Sequence, residues 1–108
     1  MNKNYILKKS HEIEELIKKK QSVGSKYYCV YYAKSEDTKI GISVSKKLGK
    51  ANVRNYQKRV TREILRDMIS ELEGFRILLV VKAQTLDLTF DDKQKQIRYV
   101  LDKVLSNK

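Results

Sequence analysis

The chain has 108 residues, 41% hydrophobic and 34% charged, with a formal net charge of +11. That length suits one compact core and excludes a second, so a single domain over 1–108 is expected, and the composition excludes a disordered chain. No apolar run approaches the ~20 residues of a membrane span, and MNKNYILKKSHEIEE holds no signal-peptide core, so a cytoplasmic protein is expected.

In chain order, Ile6, Ile13, Leu16 and Ile17 recur at helical spacing. Glu12, Glu14 and Glu15 sit near the start and Lys18–Lys20 at the end, which predicts a helix over 6–20 with dipole-compatible charge. Residues 21–26, around Gly24, read as a turn or a very short strand. The run YYCVYYA, residues 27–33, is aromatic and β-branched and predicts a strand. A polar KSEDT connection leads to KIGISVS, residues 39–45, where Ile40, Ile42 and Val44 alternate with small or polar residues as in a half-exposed strand.

Gly49 and Asn52 introduce a helix over 51–72, stopped by Gly74. FRILLVVKA, residues 75–83, is a continuous apolar strand suited to the centre of a sheet. Thr89 can then cap a last helix with Phe90, Ile97, Val100, Leu101, Val104 and Leu105 on its apolar face. The order predicts an α+β two-layer sandwich, one mixed sheet packed by helices. A strand–helix–strand unit across 39–83 is expected by the general rule to cross over right-handed.

The charge is one-sided. Residues 1–66 hold 17 Lys or Arg against 6 Asp or Glu, whereas residues 67–108 hold 7 of each. Such an excess is the footprint of a polyanion binder, because each phosphate contact releases condensed counterions. At about 100° per residue, Val53, Val60, Ile64 and Met68 form a stripe on the middle helix, with Gln57 at its wet end. Arg54, Lys58 and Arg62 form an i, i+4, i+8 row on the far side, and Asn55, Arg59 and Arg66 continue it. Arginine forks suit phosphate geometry, and a merely solubilising face would interleave acids to relieve like-charge repulsion. Asn55 can read a sugar or base edge, or cap the backbone.

Seven tyrosines are present, and the pairs Tyr27/Tyr31 and Tyr28/Tyr32 each share a strand face. A face left outside the core is either a platform for unstacked bases or an ordinary amphipathic surface. Enzyme chemistry finds little support. His11 is the only histidine, Cys29 the only cysteine, and no glycine-rich phosphate loop occurs. His11 reads as a surface residue and Cys29 as a small buried strand residue.

SVSKKLGKANVRNYQKRVTREI resembles the signature of the bacterial ribonuclease P protein family, an Arg-Asn-Arg motif followed by Lys-Arg and a further Arg. The match rests on Lys46, Lys47, Gly49, Lys50, Ala51, Val53, Arg54, Asn55, Lys58, Arg59 and Arg62, and LKKSHEIEELIKKK is similar to the family's first helix. The resemblance implies an α-β-β(-β)-α-β-α order with a mixed, mostly antiparallel sheet. It also implies a left-handed β-α-β crossover like that of ribosomal protein S5 domain 2, against the general rule.

In function, the resemblance implies the non-catalytic protein subunit of an endoribonuclease, one protein per ribonuclease P RNA. That RNA uses Mg²⁺ to remove the 5′ leader of precursor tRNA, and no dedicated metal site on the protein is expected. RNA-facing residues would be Lys46, Lys47, Lys50, Arg54, Asn55, Lys58, Arg59 and Arg62, with Arg66 continuing the face. Ile13, Ile17, Cys29 and Tyr31 would line a cleft for the leader. Two departures stand out: Tyr56 replaces the second motif arginine, and Ile13 and Ile17 replace aromatic residues of the first helix. The alternative is a structural RNA-binding protein of the ribosome or its assembly.

Overall fold

A computed structural model describes residues 10–18 and 21–106. The order is α1 (Ser10–Lys18), β1 (Ser22–Gly24), β2 (Tyr28–Lys34), β3 (Lys39–Val44), α2 (Ala51–Arg66), β4 (Phe75–Val81) and α3 (Phe90–Leu105). The short strand left open between residues 21 and 26 is therefore formed, as β1. The ends of the first predicted helix, 6–9 and 19–20, lie outside the described residues, as does Tyr5.

The four strands form one mixed sheet in the order β1-β2-β4-β3. β1 and β2 pair antiparallel, as do β2 and β4, while β3 lies parallel to β4 and is joined to it through α2. The continuous apolar strand β4 is thus flanked on both sides, which suits its lack of alternation.

Side-chain alternation divides the sheet into two unequal faces. Tyr28, Val30, Tyr32, Ile40, Phe75, Ile77, Leu79 and Val81 pack with α2 and α3 into the main core, joined by Ile97, Val100, Leu101 and Val104. The opposite face carries a smaller cluster, in which Leu16 of α1 covers Ala33 and Leu78, with Ile13, Tyr31 and Val80 at its margin. α1 is short and leaves much of that face uncovered by the described residues, which makes room for a groove.

Three local readings are corrected. The middle helix ends at Arg66, not Leu72, and a separate 3-10 turn over Ile69–Leu72 follows. Met68 and Leu72 still reach the core, because the tighter turns bring them round to it. Gln57 is not at a wet end: it is only 4% exposed, and Thr61 and Leu65 are buried beside it. Phe90, assigned to the apolar face of α3, is 46% exposed because it opens the helix beyond the edge of the core. Thr89 does cap α3, its hydroxyl accepting from the Asp92 N–H at 3.2 Å.

Candidate nucleic-acid interface

The cations are placed by a turn and by the helix it launches. Ser45 accepts a hydrogen bond from the Lys47 N–H (3.2 Å), starting a 3-10 turn over Lys46–Leu48. Leu48 is buried and anchors that turn, so Lys46 and Lys47 point outward. Gly49, at φ 109° and ψ −140°, then redirects the chain in a conformation that side-chain-bearing residues rarely adopt. α2 begins immediately afterwards with Lys50 at its N-cap, no side-chain cap and no acid in its first turn.

This arrangement is unfavourable for the isolated chain. The N-terminal end of a helix carries partial positive charge and orphan N–H donors, yet Lys46, Lys47, Lys50 and Arg54 gather there. Further along, Arg54, Lys58, Arg62 and Arg66 stand four apart, making three like-charge pairs that together cost on the order of 1 kcal/mol. Asp37 pairs with Arg76, and Arg98 with Glu71 and Asp102; among the described residues no ion pair is seen at an α2 cation. Such a surface is complementary to a polyanion, whose phosphates would meet both the charges and the helix start.

Lys46, Lys47, Lys50, Asn55, Arg59, Arg62 and Arg66 are exposed, whereas Arg54 and Lys58 are half-buried. The Arg54 Nε is enclosed and has no hydrogen-bond partner among the described residues. Asn55 makes no backbone cap. The local amide contact comes instead from Asn52, whose Oδ1 accepts from the Val53 N–H at 3.0 Å. The Asn55 side chain itself is left exposed.

On the side of α2 that bears Lys58, a groove of about 450 Å³ opens along the less covered sheet face. Ile13 and Ile17 of α1, Tyr31 of β2, Leu78 and Val80 of β4, Gly41–Val44 of β3 and Lys58 line it. Its volume falls in the roughly 300–1,000 Å³ range of small-ligand sites, larger than a gap between side chains. The sheet register explains the floor: Tyr31 pairs with Leu78, and Leu78 with Gly41 across the parallel ladder. The small residues Gly41 and Ser43 keep the edge strand low. Three of the four cleft residues are therefore brought together. Cys29, half-buried and paired with Val80, shares the face but is not part of the lining.

Sequence reasoning missed the β3 and β4 contributions to this groove, although the alternation in KIGISVS carries the signal. It also left the two tyrosine pairs undivided. Tyr28 and Tyr32 enter the main core, and burial pushes the Tyr28 phenol well above its usual range. Tyr31 faces the groove. Tyr56 is 50% exposed on the shoulder of α2 that faces α3.

A second hollow of similar size lies between the end of α2 and α3, lined by Ile64, Asp67, Met68, Gln94, Lys95 and Arg98. Asp67 stands at it, and Arg98 is engaged by Glu71 at 2.6 and 2.8 Å, so its charge is already balanced. Among the described residues, no group of three or more His, Cys, Asp or Glu could hold a metal ion. No helix there is long and apolar enough to cross a membrane.

Comparison with known proteins gives one answer. The chain matches the Ribonuclease P family over residues 1–105. It is 33% identical to the ribonuclease P protein component of Mycoplasma mobile, covering 100% of this chain and 96% of that protein. With the Carboxydothermus hydrogenoformans ribonuclease P protein component it shares 36% identity, covering 94% and 91%. Among solved structures, the Staphylococcus aureus RNase P protein superposes with a TM-score of 0.87 at 31% identity, over 94% of this chain and 96% of that one. The Thermotoga maritima RNase P protein superposes at 0.81 and 25% identity, over 90% and 94%. A fold, a basic helix and a sequence match that agree along nearly the whole chain lead to one conclusion: the chain belongs to the ribonuclease P protein family.

Proposed function

We propose that this chain is the RNA-binding protein subunit of ribonuclease P. It binds the catalytic RNA through the α2 face and holds the 5′ leader of precursor tRNA in the groove beside α1. The observation that carries this reading, given the family, is that an unpaired cationic helix and a half-apolar groove share Lys58. A phosphodiester chain can therefore meet charge on one side and apolar or aromatic surface on the other.

Lys46, Lys47, Lys50, Arg54, Asn55, Lys58, Arg59, Arg62 and Arg66 are the RNA contacts in this proposal. Ile13, Ile17 and Tyr31 line the leader site, with Cys29 at its far margin. Tyr31 supplies the stacking surface, since Ile13 and Ile17 offer only apolar contact. The protein contributes positioning and electrostatics. In this proposal leader hydrolysis belongs to the RNA and its Mg²⁺. One protein acts per RNA, in the cytoplasm.

Binding of two substrates by the assembled complex tests the groove. Tyr31→Ala should weaken precursor tRNA severalfold while leaving mature tRNA unchanged, as expected for one stacked base. Equal weakening of both would refute the leader assignment.

A further inference from the structure

Lys93 of α3 is only 6% exposed, and desolvation lowers its pKa. A lysine whose stem is so far enclosed often has a carboxylate near its head. Among the described residues none pairs with this one. The group it faces is the ring of Tyr56, 5.5 Å from its ammonium to the ring centroid. The Arg59 guanidinium approaches the same ring at 5.8 Å. Attraction of a cation to an aromatic ring strengthens as the cation loses solvent, and the Lys93 ammonium is partly desolvated.

Tyr56 thus stands between two cations with no acid to separate them. A cationic side chain at this position would meet Lys93 and Arg59 as like charges. Tyrosine removes that repulsion, and half of its surface remains open within the basic face of α2. A large, neutral, rigid aromatic surface among uncompensated arginines is suited to stack an unpaired base while its neighbours take the flanking phosphates.

We infer that Tyr56 is a non-ionic RNA contact, its ring offered to an unstacked base of the catalytic RNA, with Lys93 as the positioning residue that fixes the ring from the α3 side. This rests on the RNA-binding role proposed above for α2. The contact extends the interface across the seam between α2 and α3, on the side away from the groove.

Binding of the full-length protein to its cognate ribonuclease P RNA across a salt series tests the inference. Tyr56→Ala should bind about 5-fold or more weakly with an unchanged log–log salt slope, the signature of a lost stack. Tyr56→Phe should bind as wild type. Tyr56→Arg should steepen the slope by about 0.7–0.9, because the position lies against RNA. Lys93→Met should weaken binding at unchanged slope and add little to Tyr56→Ala in the double variant, as coupled groups do. A lower slope for Lys93→Met would contradict the positioning role, since it would mean that Lys93 meets a phosphate itself. Wild-type binding by Tyr56→Ala, with Arg54→Ala impaired, would overturn this inference alone and leave the ring as packing at the seam. Wild-type binding by both would instead overturn the RNA-binding reading of α2.

Discussion

Replacing Arg62 with alanine isolates the electrostatic role of α2 from its structural one. Arg62 is exposed, belongs to the i,i+4 row Arg54, Lys58, Arg62, Arg66, and has no carboxylate partner among the described residues. Removing it should leave stability within about 0.5 kcal/mol of wild type, or raise it slightly, because two like-charge neighbours at i±4 are relieved. RNA binding should respond differently. If Arg62 neutralises one phosphate, its loss lowers the slope of log K against log salt by about 0.7–0.9. A fourfold rise in salt, from about 50 to 200 mM, should therefore shrink the deficit of the variant about threefold. Filter binding or fluorescence anisotropy with the cognate RNA at four or more salt concentrations measures that slope, and thermal unfolding supplies the control. Weaker binding with an unchanged slope would refute the phosphate contact. A large loss of stability would refute the claim that the side chain faces solvent in the free protein.

Two further predictions concern the turn and the ion pairs that frame the site. Gly49→Ala meets no atom within 4 Å, so its effect is backbone strain alone at φ 109°; it should destabilise by about 1–3 kcal/mol in urea unfolding. An unchanged midpoint would mean that the turn relaxes without strain. Asp37 is held at a pKa of about 2, below its ordinary 3.8, by hydrogen bonds first from Arg76 and then from Ser35. Because the folded value is the lower one, the stabilisation is complete above pH 3.8 and is lost as pH falls towards about 2. Asp37→Asn should flatten the acid limb of the stability profile in that window, and an identical limb would show that the pair contributes nothing.

Much of this architecture was legible because local signals agreed with tertiary demand. FRILLVVKA reads as an apolar strand at the centre of the sheet, and β4 lies between β2 and β3. Thr89 as a cap marked the start of α3, and the structure adds Asp91 and Asp92 in its first turn. The wheel separated the cations of α2 from Val60 and Ile64, which are buried as expected. Polarity misled where burial depended on a neighbour outside the segment. Gln57 looks like a boundary residue, yet it is buried, and its Oε1 has no hydrogen-bond partner among the described residues. Phe90 looks like core, but lies at the exposed start of its helix.

The groove was the hardest part to read. Its residues come from α1, all three longer strands and Lys58, so only strand pairing brings them together. Tyr31 and Cys29 occupy the same face of β2 and are indistinguishable by alternation. Their partners in β4, Leu78 and Val80, both line the groove, yet of the two β2 residues only Tyr31 joins the lining. Tyr56 presented a different difficulty, because its significance depends on Lys93, 37 positions away in sequence and 5.5 Å away in space.

The central claim, that a cationic helix and an adjoining groove assist a catalytic RNA, is tested most directly by reconstitution. Purified protein, freed of RNA, is titrated into its cognate ribonuclease P RNA with precursor tRNA at physiological Mg²⁺. The account predicts no cleavage by the protein alone and a stimulation of leader removal that saturates at one protein per RNA. Failure to stimulate that RNA, or cleavage by the RNA-free protein, would contradict it.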